Sequence, residues 1–369
     1  MRTEIIKIIE GGLTKSPDKV RSYAQLLSQK LRDDGEERFA DRIVDLLNRR
    51  SSSTHQVLLD EFSSAPVDHD SRLDMLDIWI PDEQLIDIVL PEVTQRRVDE
   101  YIGYLSHRSE FIEKGLELPD SLLLYGPPGC GKTTIAHYIS KRTGLPLLTA
   151  RLDGIVSSLL GSTAKNIRRI FDYANERPCI LFLDEFDAVA KARSDDSEVG
   201  ELKRVVNSLL QNIDVFNENN ILVAATNHEQ LLDTAVWRRF SNVVEVSKPG
   251  LDDIAKLLRL FFRDANCDFL NNPKRLNSVC ETLYGLSPSD IRVICYSAIR
   301  DVVVSEASTV TFAGFMYKVA LSTNRAQASE VIEFLSSHGV SQLDISRVLN
   351  VSVRQVRNTL EGKRGVGNA

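Results

Sequence analysis

The chain has 369 residues, a hydrophobic content of 43%, a charged content of 26% and a formal net charge of −7. At about 100–200 residues per domain, that length predicts two or three domains of ordinary globular composition. The negative balance argues against non-specific coating of nucleic acid and leaves room only for a local basic patch.

No apolar run approaches the roughly 20 residues needed to cross a bilayer. The opening MRTEIIKIIEGG is amphipathic and carries an acid, so no signal peptide is expected. Cys130, Cys179, Cys267, Cys280 and Cys295 have no metal-ligand spacing. Reduced thiols and a cytoplasmic location are the expectation.

Residues 1–50 predict a helical domain. Tyr23, Leu26, Leu27 and Leu31, then Phe39, Ile43, Leu46 and Leu47, recur at helical spacing on either side of Asp34-Gly35. Residues 51–85 read as a linker, mixed and acidic toward the end. From 86 to 249 short apolar runs alternate with helical patterns: SLLLY (121–125), LPLLTA (145–150), CILFL (179–183), ILVAAT (221–226) and NVVEV (242–246). That alternation predicts an α/β unit with a mainly parallel sheet covered on both faces. Residues 250–323 read as a smaller helical domain, and 326–369 as a last helical segment.

GPPGCGKT fits the phosphate-loop pattern G-x-x-x-x-G-K-[ST], or Walker A, after a strand and before a helix. The expected nucleotide-binding residues are Gly126, Pro127, Pro128, Gly129, Cys130, Gly131, Lys132, Thr133 and Thr134. Glycines let backbone N–H groups approach phosphate oxygens, Lys132 reaches the β- and γ-phosphates, and the Thr133 hydroxyl ligates Mg²⁺. Asp184 and Glu185 end a buried strand, where parallel sheets bind their ligands. Asp184 has the Walker B position, helping hold Mg²⁺, and Glu185 is placed as general base for the attacking water. Asp187 is expected to be structural or to serve subunit contacts. Asn227 closes another strand, placed to orient the water, although Asn is also a favoured turn residue. Arg238 and Arg239 would suit a guanidinium on the transferring phosphate, in cis or in trans; an ordinary surface ion pair is the alternative.

GPPGCGKTT, ILFLDEFDAV, LVAATNHEQLLD, WRRF and GLSPSDI, in that order, resemble the AAA ATPase family over residues 86–323. The resemblance implies the AAA+ αβα core of a P-loop NTPase with a helical lid. It also implies ATP at subunit interfaces and a homo-oligomer, commonly a hexameric ring. Lys132, Thr133, Asp184, Glu185 and Asn227 would serve the chain's own ATP, with Val89 and Leu90 near the adenine. Arg238 and Arg239 would be arginine fingers on a neighbour's ATP. Two departures stand out. Leu159-Leu160-Gly161 replaces the aromatic pore loop of polypeptide-threading members, leaving an aliphatic grip or ordinary core residues. Pro288-Ser289 stands where Gly-Ala is usual; no arginine sits at the second sensor position, and Arg292 is an open substitute.

Residues 326–369 resemble a helix-turn-helix, with Ser341 capping one helix and Arg354, Arg357, Lys363 and Arg364 on the last; a bundle for partner docking is the alternative. The layout also resembles small bacterial ATPases encoded beside subtilisin-like proteases in phage-defence loci, which implies a protease partner. Three expectations follow: a motor that remodels, unfolds or delivers a protein; a DNA-bound ATP-dependent regulator; and an ATP-dependent assembly switch without threading.

Overall fold

A computed structural model describes residues 75–82, 86–116, 120–152, 163–188, 199–216, 220–323, 325 and 327–362, with Ala24, Leu27, Ser28, Lys30 and Leu31. These last five are helical, and Ala24, Leu27 and Leu31 are buried, so part of the expected N-terminal helical face is present. The rest of that domain, Leu159, Leu160, Gly161, Lys363 and Arg364 lie outside the described residues.

Six strands form one sheet: β1 (Asp77–Trp79), β2 (Ser121–Tyr125), β3 (Leu147–Arg151), β4 (Ile180–Asp184), β5 (Ile221–Thr226) and β6 (Asn242–Glu245). Their spatial order is β1-β3-β4-β5-β2-β6. Every pairing is parallel except β1 with β3. The five apolar runs of the sequence are β2 to β6. The strand β1 had no such signal: with only three residues, it covers the edge of β3 in register Asp77↔Thr149 and Trp79↔Leu147. The Trp79 ring meets His137 edge-on at 4.8 Å.

The strands read as unbroken apolar runs because both faces of the sheet are covered, and successive side chains go to opposite sides. Leu123, Leu148, Leu181, Leu183, Leu222 and Ala224 pack toward helices α4 (Thr163–Asn175) and α5 (Val199–Asp214). Leu122, Leu124, Leu147, Ile180, Phe182 and Val223 pack on the other face. There they meet α1 (Glu92–Ser106) and α3 (Lys132–Thr143). A short α2 (Arg108–Glu113) follows α1, and α6 (Thr234–Trp237) precedes β6.

Beyond the sheet stand α7 (Leu251–Phe261), α8 (Pro273–Leu283), α9 (Pro288–Val304) and α10 (Phe312–Ser322). Then come α11 (Ala328–Ser337), α12 (Gln342–Leu349) and α13 (Val353–Gly362). All seven share one core. Leu258, Phe262, Ile291 and Phe315 are continuous with Val331, Leu335, Ile345 and Val356. The four rings of Phe262, Phe269, Phe312 and Phe315 knit its centre, with Phe269 stacked on Phe315 at 5.1 Å. Among the described residues no helix is long and apolar enough to cross a membrane.

Candidate active site

Strand order builds the site. β2 lies beside β5, and β5 beside β4, all parallel, so their carboxyl ends meet at one edge of the sheet. Tyr125 is level with Thr226, and Asp184 with Arg151. The phosphate loop, Asp184-Glu185 and Asn227 follow from those ends and converge there.

The loop from Gly126 to Gly131 leads into α3. Gly126 has φ +141°, and a Cβ there would stand 2.3 Å from the Val246 carbonyl oxygen. No side chain fits against that backbone. Gly129 has φ +74°, and a Cβ would fall 2.6 Å from Ser287 Oγ at the start of α9. The Ser289 N–H donates to the Gly129 carbonyl at 3.1 Å. The start of α9 therefore sits directly on the phosphate loop through Ser287 and Ser289, the latter in the Pro288-Ser289 pair that departs from the family pattern. Its own start is fixed by reciprocal bonds between Ser287 and Asp290.

Lys132 is buried, with 6% of its surface exposed. Its Nζ donates to the carbonyls of Gly126 at 2.7 Å and Pro127 at 2.9 Å. Burial lowers its pKa, opposed by the nearby Asp184 and Asp187 carboxylates. The loop thus carries a desolvated cation held by its own carbonyls. Thr133 Oγ1 donates to Asp184 Oδ2 at 3.0 Å, bringing the two expected Mg²⁺ ligands together. Cys130 is buried inside the loop, and burial pushes its thiol pKa up.

Glu185 has φ 54°, in the left-handed region. A non-glycine residue held there costs about 1–3 kcal/mol, and the surroundings fix it. Its N–H donates to Asp184 Oδ1 at 2.9 Å. The next amide, Phe186 N–H, donates to the Ala225 carbonyl at 2.9 Å. Asp187 is buried and ties β4 to β5: its Oδ1 accepts from the Thr226 hydroxyl and the Asn227 N–H, each at 3.2 Å. The structural role read for Asp187 in the sequence is the positioning of Asn227.

These groups line a cleft of about 380 Å³. Its walls include Val89, Leu90, Pro128, Gly129, Cys130, Gly131, Lys132, Thr133, Thr134, Asp184, Glu185 and Asn227. Sequence reasoning missed the far wall, Leu257, Leu260 and Phe261 of α7 and Pro288 and Ser289 of α9. Nothing in an amphipathic helix pattern says which ligand its apolar side meets. Arg292 also lines the cleft from α9; it is exposed and has no hydrogen bond or ion pair among the described residues.

The neighbouring arginines are built differently and do not line this cleft. Arg239 turns back onto its own chain. Its Nε and Nη2 donate to the two carboxylate oxygens of Asp214 at 2.8 and 3.1 Å, and Nη1 donates to the Ala235 carbonyl at 2.7 Å. Arg238 is exposed and has no such partner among the described residues.

A fit to Mg²⁺-nucleotide is supported by the Thr133–Asp184 pair beside a buried lysine and a helix start. Among the described residues no cluster of three or more His, Cys, Asp or Glu could hold a metal alone. Few protein ligands suit a Mg²⁺ that takes its remaining ligands from phosphates and water.

A mainly parallel sheet with a phosphate loop after one strand, an Asp-Glu pair after a second and a polar end after a third defines a P-loop nucleoside triphosphatase. Residues 122–248 match the model of the ATPase family associated with various cellular activities (AAA). An uncharacterized AAA family ATPase of Sinorhizobium fredii is 39% identical over 62% of this chain and 68% of its own length. The chain belongs to the AAA family of ATPases. Proteasome-activating nucleotidase 1 of Haloferax volcanii is 33% identical over 59% of this chain and 55% of its own length. An ATP-dependent zinc metalloprotease, FtsH, of Sulfurovum is 31% identical over 59% of this chain and 33% of its own length. The chain thus spans about half, or less, of those two relatives.

Proposed function

We propose that this ATPase hydrolyses ATP as a homo-oligomeric ring, a hexamer, whose sites lie between subunits, and that it uses the cycle to remodel, unfold or deliver a protein substrate. The observation that carries the reading is the contrast between the two arginines. The cleft holds Lys132, Asp184, Glu185 and Asn227 from one chain, whereas Arg238 stands outside it, exposed and without a partner among the described residues. A second subunit would bring that guanidinium to the γ-phosphate.

In this scheme Lys132 and the loop amides bind the β- and γ-phosphates. Bound Mg²⁺, with Thr133 and Asp184 as its protein ligands, would neutralise charge on the phosphates. A Glu185 carboxylate oxygen takes the proton of the attacking water, while Asn227 orients that water. The water oxygen bonds to the γ-phosphorus as the bridge to the β-phosphate breaks. Arg238 is the finger in trans. Arg239 acts indirectly, because its clamp on Asp214 holds the turn that presents Arg238. Of the two readings that the sequence leaves open, both arginines as fingers or one holding the other in place, this takes the second.

The protein-directed activity draws support from relatives whose names carry proteasome activation and proteolysis. A subtilisin-like protease partner and a phage-defence setting rest on the layout's resemblance to small bacterial ATPases of phage-defence loci, and a cytoplasmic location on the cysteine usage; co-purification with the product of an adjacent gene, phage plating on a deletion strain, and cell fractionation test them.

The central test mixes two inactive chains. Arg238→Ala and Lys132→Ala proteins, each dead alone, should regain hydrolysis when combined, because some interfaces then pair an intact Lys132 with an intact Arg238. If hetero-oligomers form and every mixture stays dead, the trans assignment fails.

A further inference from the structure

We propose that α11 to α13 form a docking site for duplex DNA, with α13 entering the major groove. The site is independent of the ring reading above.

The geometry is that of a three-helix reading head. Three residues, 350–352, join α12 to α13. Asn350 turns the chain at φ 53°, a left-handed conformation that Asn tolerates better than most residues. The turn is tied down by Val351 N–H to the Ser346 carbonyl at 3.1 Å and by Ser346 Oγ to the Val351 carbonyl at 2.5 Å. The start of α13 is fixed by a reciprocal pair: Ser352 N–H donates to Gln355 Oε1 at 2.9 Å, and Gln355 N–H donates to Ser352 Oγ at 3.2 Å. Ile345 of α12, Val356 of α13 and Leu335 of α11 are all fully buried in the shared core. The angle between α12 and α13 is therefore set by packing, and α13 has one face to offer.

That face carries Val353, Arg354, Arg357, Asn358 and Glu361, all exposed, with the cations toward the start of the helix and the one carboxylate near its end. Arg354 and Arg357 have no hydrogen bond or ion pair among the described residues, so docking them on phosphates breaks nothing. The arginine on α12 differs: Arg347 pairs with Asp344 at 3.6 Å. Residues 328–362, which span α11 to α13, hold Arg347, Arg354 and Arg357 against Glu330, Glu333, Asp344 and Glu361, so the site rests on where the cations stand and not on net charge. With Arg347 paired to Asp344, the two guanidiniums of these helices that are unengaged among the described residues both stand on α13. The residue types match what the major groove displays: guanidinium for phosphate or guanine, the Asn amide for adenine, and an apolar Val for the thymine methyl. A protein-binding helix would be expected to offer an aromatic anchor, and the exposed face of α13 has none.

The test uses the full chain, with and without ATP, and a short fluorescein-labelled DNA duplex of mixed sequence read by anisotropy. Wild-type binding should weaken steeply as salt rises. Arg354→Ala/Arg357→Ala should lose about tenfold or more in affinity, and its log–log salt slope should flatten by about two. Hydrolysis without DNA should stay at the wild-type rate, showing that the variant is folded. Arg354→Lys/Arg357→Lys should keep the salt slope, since both charges remain. Duplex RNA, whose deep narrow major groove excludes a helix, should compete poorly. The proposal is overturned if wild type shows no salt-sensitive DNA binding in either nucleotide state. It is equally overturned if the double alanine variant binds as wild type, or if duplex RNA competes as well as DNA.

Discussion

The phosphate loop and α13 both carry cations, and they are built in opposite ways. Lys132 is buried, partly desolvated and bonded to two carbonyls of its own loop. Arg354 and Arg357 are exposed and unengaged among the described residues. A small ligand that fits a cleft rewards a preorganised cation, because no side chain has to be ordered when it arrives. A macromolecular surface arrives from outside and needs cations already in solvent. Arg238 is exposed in the same way although it sits in a motif of the first, and that exposure is what the proposed contact with a neighbouring subunit rests on.

The largest effects should come from the buried side of this comparison. Lys132→Ala should abolish ATP binding or turnover, read by nucleotide binding and phosphate release. Normal turnover would remove the loop from the site. Glu185→Gln should lower hydrolysis by about 10²–10⁴-fold while ATP stays bound and any ring is stabilised. Wild-type hydrolysis would remove Glu185 as base.

Next come the two arginines, where the comparison is sharpest. Arg238→Ala should cost about 10³-fold or more in kcat, the scale of a finger. Asp214→Ala should cost much less and leave the affinity for ATP unchanged, since Asp214 only holds Arg239. Equal losses for the two would mean that Arg239 also reaches the phosphate.

Smaller effects test the scaffold. Ile345→Ala should destabilise the protein by about 2–5 kcal/mol in a denaturant melt. Because Ile345 shares its core with the lid, α7 to α13 should unfold together. A separate early transition for the last helices would break that picture. The smallest effect concerns Cys130. Its raised thiol pKa keeps it protonated near neutral pH, so it should alkylate more slowly than a free thiol, and faster only as pH climbs.

Much of this was legible in the sequence. Residues 122–124 (LLL) and 180–183 (ILFL) are apolar throughout because both faces of the sheet are covered, and an unbroken run shows that without knowing the neighbours. GPPGCGKT carries its own instruction, since glycines and a following helix are local requirements. The strand β1 was not legible: at three residues, at an edge, it has no pattern to read. The far wall of the cleft was equally silent, because Leu257 and Phe261 look like any other amphipathic positions.

The sequence by itself determined which apolar runs become β2 to β6, and which residues stand at their ends. Those are local properties of spacing, glycine and apolar runs. Only the tertiary structure decided that β5 lies between β4 and β2, which brings Asp184, Asn227 and Lys132 to one edge. It alone turned Arg239 toward Asp214 and left Arg238 outward, and it alone joined α11–α13 to the lid core. Each of these depends on contacts between residues far apart in the chain, and such contacts leave no mark in local spacing.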